Sequence, residues 1–118
     1  MALDGIRVLD FTRVLAGPYC TLILGDLGAE IIKIENPEGG DDTRGFNVSP
    51  SLEFSTYFLS VNRNKKSVAI DIRTDAGQDA IRSLVANADV VIENYRTGVM
   101  DRYGMGYADL SAINPNVV

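Results

Sequence analysis

Short aliphatic runs alternate along the chain with stretches whose apolar positions recur every three or four residues. The first run, Ile6-Arg7-Val8-Leu9-Asp10-Phe11, is rich in β-branched and aliphatic residues and predicts a strand closed by Thr12-Arg13. Pro18 suits the first position of a helix, where a missing N–H costs nothing. Tyr19, Leu22, Ile23 and Leu27 then recur at helical spacing up to a stop at Gly28. Glu30-Ile31-Ile32-Lys33-Ile34-Glu35 predicts a second strand, and the turn formers from Asn36 to Pro50 predict a long surface loop. Phe54, Tyr57, Phe58 and Val61 indicate a short helix within Leu52 to Val61. Ser67 to Ile72 reads as a third strand, Thr74 as an N-cap, and Ile81, Leu84, Val85 and Ala88 as the apolar stripe of a helix that Asn87 can end. Asp89 to Glu93 reads as a fourth strand. A short helix from Ala108 to Ile113 follows, and Asn114-Pro115-Asn116-Val117-Val118 opens a fifth strand. Strands that alternate with helices imply the α/β class, a parallel sheet with helices on both faces.

Composition narrows the function. The 118 residues are 46% hydrophobic and 23% charged, enough for one domain with its own core. With 11 basic against 16 acidic residues the chain carries a net charge of −5, which suits no nucleic-acid backbone. One cysteine and no histidine exclude disulfide scaffolds, Cys/His zinc clusters and any histidine base, so no metal site is expected. The charge-free stretch Val14 to Gly25 contains Gly17 and Pro18 and is too short to span a bilayer. Met1-Ala2-Leu3-Asp4-Gly5 has no signal-peptide character, so no membrane is expected and the cytoplasm is the expected compartment. A sheet cut as its fifth strand begins implies a fragment, residues 1–118 being the N-terminal part of a larger domain.

Ligands of open parallel sheets sit beyond the C-terminal strand ends, which directs attention to the segments after Phe11, Glu35, Ile72 and Glu93. The turn Thr12 to Pro18 offers backbone N–H groups to an anion, but its single glycine fails the G-x-G-x-x-G test. Gly104-Met105-Gly106 lacks the third glycine, and no G-K-[ST] occurs. Arg73, Arg96 and Arg102 lie near the ends of the third and fourth strands and could converge on a phosphorylated ligand. Other charges have plainer readings: Glu35 as a charged strand end, Glu38, Asp41, Asp42 and Arg44 as a solvated turn, and Arg63, Lys65 and Lys66 as a wet face. Tyr95, Tyr103 and Tyr107 are expected to pack in the core, and Cys20 to be a buried, inert thiol.

The run Leu3-Asp4-Gly5-Ile6-Arg7-Val8-Leu9-Asp10-Phe11-Thr12-Arg13-Val14-Leu15-Ala16-Gly17-Pro18-Tyr19-Cys20 resembles the N-terminus of family III CoA-transferases, the CaiB/BaiF group. So do Asp26 to Glu35, Gly40-Asp41-Asp42-Thr43-Arg44, Asn62 to Ser67, Ala88 to Gly98 and Leu110 to Pro115. The resemblance implies a Rossmann-like large domain, a small domain and return segment not represented here, and an interlocked homodimer. It implies an acyl-CoA and a carboxylic acid as substrates, with coenzyme A bound transiently and no permanent cofactor. Val14 and Leu15 would border the thioester end, Ile70 and Arg73 the adenosine phosphates, and Asn94, Tyr95, Arg102 and Tyr103 the remaining CoA surface. The aspartate that attacks the thioester in such transferases has no counterpart in this chain, so no catalytic residue is expected here and the chain alone should be inactive. Formyl-CoA transferases place glutamine where this chain has Leu15, which argues against oxalate as acceptor. The alternatives are an acyl-CoA racemase of the α-methylacyl type, whose acid/base pair is likewise absent, and a non-catalytic CoA-binding module.

Overall fold

The computed structural model describes residues 1–47, 49 and 53–118. Strands β1 (Arg7–Asp10), β2 (Glu30–Glu35), β3 (Lys65–Ala69) and β4 (Val90–Ile92) form one four-stranded parallel sheet in the order β3-β2-β1-β4. Helices α1 (Ala16–Asp26), α2 (Thr56–Asn62) and α3 (Asp75–Val85) connect them, and α4 (Val99–Arg102) and α5 (Tyr107–Ile113) follow β4. The chain leaves β1 toward β2 and β3, then returns across the sheet to place β4 on the other side of β1. The carboxyl ends of β1 and β4 therefore diverge into oppositely directed connections, the arrangement that opens a crevice in doubly wound sheets.

Central position explains the composition of β1. Val8 and Leu9 are both fully buried although they face opposite sides, because helices cover both faces. Leu9 belongs to a core with Phe11, Ile34, Ile81, Val85, Met100, Met105 and Leu110, and Val8 packs on the other face with Ala29 and Ile31. The predicted stripe of α3 fills the first core with Ile81, Val85 and Ala88, while Leu84 packs partly buried against it. Thr74 caps that helix by accepting the Gly77 N–H at 3.1 Å. Beyond β4, the Val118 N–H donates to the Asp89 carbonyl at 3.0 Å and the Val118 carbonyl accepts from Val91 at 2.9 Å, the parallel pairing that begins a fifth strand.

Several expectations need correction. The third strand lies at Lys65–Ala69, earlier than Ser67 to Ile72, because its register is fixed by pairing to β2, with Ile31 opposite Lys65 and Glu35 opposite Ala69. Ile70 makes the last ladder contact, its N–H donating to the Glu35 carbonyl at 2.9 Å, and both Ile70 and Ile72 pack partly buried against the core. Pro18 is the third residue of α1, still among the helix positions whose N–H lacks an internal partner. The helix expected from Leu52 begins at Thr56, where Ser55 accepts the Phe58 N–H at 3.3 Å, and Leu52 lies outside the described residues. The buried side of α1 consists of Pro18, Thr21, Leu22 and Gly25, so of its predicted apolar face only Leu22 is buried. Tyr19, Ile23 and Leu27, together with Leu15, form an exposed stripe at four-residue spacing. Cys20 is exposed as well.

Candidate functional site

The turn between β1 and α1 is tied down from its neighbours. The Thr12 N–H donates to Asp10 Oδ1 at 2.9 Å, and its carbonyl accepts from Lys33 Nζ at 2.7 Å. Asn94, just past β4, grips the next peptides: its Oδ1 accepts the Arg13 N–H at 2.9 Å and its Nδ2 donates to the Arg13 carbonyl at 2.8 Å. The Val14 N–H is shared between the two Asp41 carboxylate oxygens, each at 3.3 Å. Val14 holds φ = 70°, a left-handed conformation that a β-branched residue rarely adopts. Gly17 closes the turn, since a Cβ there would lie 2.3 Å from the Thr12 Cβ.

Beneath this turn lies a layer of buried charge. Lys33 pairs with Asp41 at 3.0 Å and Lys65 with Asp10 at 3.1 Å, and none of these side chains is more than 2% exposed. Lys65 also donates to the Pro18 carbonyl at 2.9 Å and to Asn62 Oδ1 at 3.0 Å, while the Thr21 hydroxyl donates to Asp10 at 2.6 Å. Burial lowers the Lys65 pKa, opposed by Asp10. Burial by itself would raise the Asp41 carboxyl, but the Thr43 N–H, Lys33 and the Thr43 hydroxyl outweigh it and hold the carboxyl below its usual range. Glu35 follows the same logic. Burial pushes it up, yet Arg44 at 2.6 Å, the Ser67 hydroxyl and the Asp41 N–H together bring it down to about 2. The solvated reading of Asp41 and Lys65 is therefore wrong, since both side chains are buried and paired, and Glu35, the charged end of β2, is likewise buried and paired.

Above the layer, a cleft of about 240 Å³ opens at the carboxyl ends of all the strands, lined among others by Phe11, Arg13, Glu38, Ile70, Arg73, Tyr95 and Tyr103. Arg73 grips Asp71 in a fork at 2.8 and 2.9 Å and lies 3.6 Å from Glu38. That pairing holds the Asp71 carboxyl at about 2 and raises the guanidinium. Arg13 pairs with Asp42 at 2.5 Å, which raises its own pKa, and burial raises the Tyr95 phenol.

Ile70, Arg73, Tyr95 and Tyr103 thus share one cleft, whereas Val14, Leu15, Asn94 and Arg102 lie outside its lining. Val14 and Leu15 stand exposed on the turn at its β1 side. Arg96 is also outside the lining, so Arg13 rather than Arg96 joins Arg73 at the cleft. Tyr107, expected in the core, is exposed. Sequence reasoning missed Lys33, Asp41 and Arg13. For Lys33 a signal existed, because it interrupts the isoleucines of a strand buried on both faces.

The sequence profile of CoA-transferase family III matches residues 3–118. The succinyl-CoA:glutarate CoA-transferase of Mus musculus is 51% identical over 116 residues, covering 98% of this chain and 27% of that protein. The succinyl-CoA:mesaconate CoA-transferase of Haloarcula hispanica is 48% identical over 121 residues, covering 99% of this chain and 30% of that protein. A CaiB/BaiF family protein from Brucella suis superimposes with a TM-score of 0.91 at 45% identity, over 98% of this chain and 31% of its own. The chain therefore spans less than a third of the length of these relatives. A parallel sheet with its cleft at the carboxyl rim and a family match running nearly end to end lead to one assignment: the chain belongs to CoA-transferase family III.

Proposed function

We propose that the chain supplies the coenzyme A-binding rim of an enzyme that moves CoA between an acyl-CoA and a carboxylic acid. The observation that carries this is the cleft itself, which joins Arg73 and Arg13 to Ile70, Tyr95 and Tyr103 at the strand ends. Guanidiniums suit phosphate oxygens, and the apolar and aromatic neighbours suit an adenine ring or a pantetheine arm. The Arg13 Nε is buried and has no partner among the described residues, a cost that an anionic ligand would offset. At about 240 Å³ the cleft is smaller than the range usual for drug-sized ligands, so most of a CoA molecule would extend along the rim past Val14, Leu15, Asn94 and Arg102.

The relatives named above carry transferase names, which favours CoA transfer over the racemase reading. We place the whole enzyme in the cytoplasm as an interlocked homodimer around a Rossmann-like domain. The uncovered apolar stripe of α1 supports a further protein surface against it. Among the described residues no helix is long and apolar enough to cross a membrane. Isothermal titration with CoA tests the site: the chain should bind, and an Arg73→Ala/Arg102→Ala double variant should bind more weakly. Equal heats from both proteins would reject the assignment. Mixed with an acyl-CoA and excess carboxylate, the 118-residue chain should show no exchange.

A further inference from the structure

We infer that Asn94 is a positioning residue that acts on the bound ligand through the Arg13–Val14 turn, with Asp41 as its counterpart on the opposite side. The resemblance puts Asn94 on the CoA surface, but its side-chain oxygen and nitrogen are both engaged by the Arg13 backbone, at 2.9 and 2.8 Å. An amide that accepts from an N–H and donates to the carbonyl of the same residue fixes that residue in both translation and rotation. Asp41 then takes the following N–H, that of Val14, with both carboxylate oxygens.

The clamp has something to resist. Val14 at φ = 70° would relax toward the extended or right-handed region if released, and the first turn of α1 would move with it. No side chain caps α1, whose N-cap residue is Leu15, so its start depends on how the preceding peptides are held. Asp41 is itself held by Lys33 at 3.0 Å and by the Thr43 N–H at 3.0 Å, whereas Asn94 is exposed and comes from the other side of β1. The turn is thereby referenced to β2 through Asp41 and to β4 through Asn94, across the point where the strand connections diverge.

This inference rests on the CoA reading for its ligand but not for its first test. Amide hydrogen exchange on the 118-residue chain should show Asn94→Ala speeding exchange at Arg13 and Val14 by about tenfold, with Leu9 and Ile32 in the sheet unchanged. Asn94→Asp should act in the same direction, because it keeps the acceptor but turns a carboxylate oxygen toward the Arg13 carbonyl. Unchanged exchange at Arg13 in Asn94→Ala would overturn the clamp. The second test compares acetyl-CoA with adenosine 3′,5′-bisphosphate. Action through the turn weakens acetyl-CoA binding by about tenfold and leaves the bisphosphate unaffected. Equal weakening of both, or of neither, would overturn the positioning role. A wild-type chain that binds neither probe sinks the CoA reading, while the exchange result still decides the clamp.

Discussion

Replacing Lys33 with methionine isolates the energetics of the charge layer under the site. The Lys33 ammonium is almost wholly enclosed, 3.0 Å from the equally enclosed Asp41 carboxylate and 2.7 Å from the Thr12 carbonyl. Methionine matches the length of the side chain but leaves a buried carboxylate without its counter-ion, a change worth about 3–5 kcal/mol. Asp41 keeps its bonds from Thr43, at 3.0 and 2.8 Å, which places the expected loss near 3 kcal/mol, at about the lower end of that range. A domain of this size has a total stability of about 6–18 kcal/mol. The variant should therefore still fold, with its melting temperature lowered by about 10 °C. Urea unfolding followed by circular dichroism gives the number directly. The pH dependence separates charge from packing. In the wild type the Asp41 carboxyl is held low, so its contribution is present above the ordinary Asp range and fades as pH falls. Without Lys33, burial dominates and the carboxyl rises, so the variant gains relative to wild type on acidification and the gap narrows toward about pH 4. Lys33→Met/Asp41→Asn should recover more than half of the loss, because the uncompensated charge is gone. A single variant within about 1 kcal/mol of wild type at pH 7 at an unchanged denaturant slope, or a gap that ignores pH, would refute the reasoning.

Glu35 is held at about 2 against an ordinary 4.5, so its contribution is fully present above about pH 5 and disappears as pH falls through the range down to about 2. It amounts to about 3 kcal/mol, and Glu35→Gln should flatten that part of the curve of urea midpoint against pH. A wild-type midpoint that is flat from pH 6 to about 3 would contradict it. Val14→Gly should raise stability by about 1 kcal/mol, since relief of a left-handed β-branched residue outweighs the extra freedom of glycine in the unfolded chain. A lower melting temperature in that variant would show that φ = 70° is not strained in this setting.

How much was legible depended on the range of the interactions involved. The β2 boundaries, the Thr74 cap and the stripe of α3 were read correctly because each is set by neighbours within one or two turns of chain. The third strand was misplaced because Ile70 and Ile72 look more strand-like than Lys65 and Lys66, yet β3 runs along the open side of β2 and pairing fixes its register. The apolar side of α1 was assigned to the wrong face because that helix is apolar nearly all round. Thr21 and Gly25 turn inward, one to bond Asp10 and the other to let the helix approach Ile31.

By itself, the alternation of aliphatic runs with helical periodicity determined the α/β class, the parallel sheet and the rim at which to look for a ligand. The ordered motifs determined the family. Only the tertiary structure decided which charges are structural. A lysine beside turn formers reads the same whether it is wet or enclosed, and the Lys65 ammonium is enclosed because Asp10 and the Pro18 carbonyl, from a distant part of the chain, lie 3.1 and 2.9 Å away. Arg13 and Asn94 meet for the same reason: crossing from β3 back past β1 puts β4 beside it, and no local pattern encodes that neighbourhood.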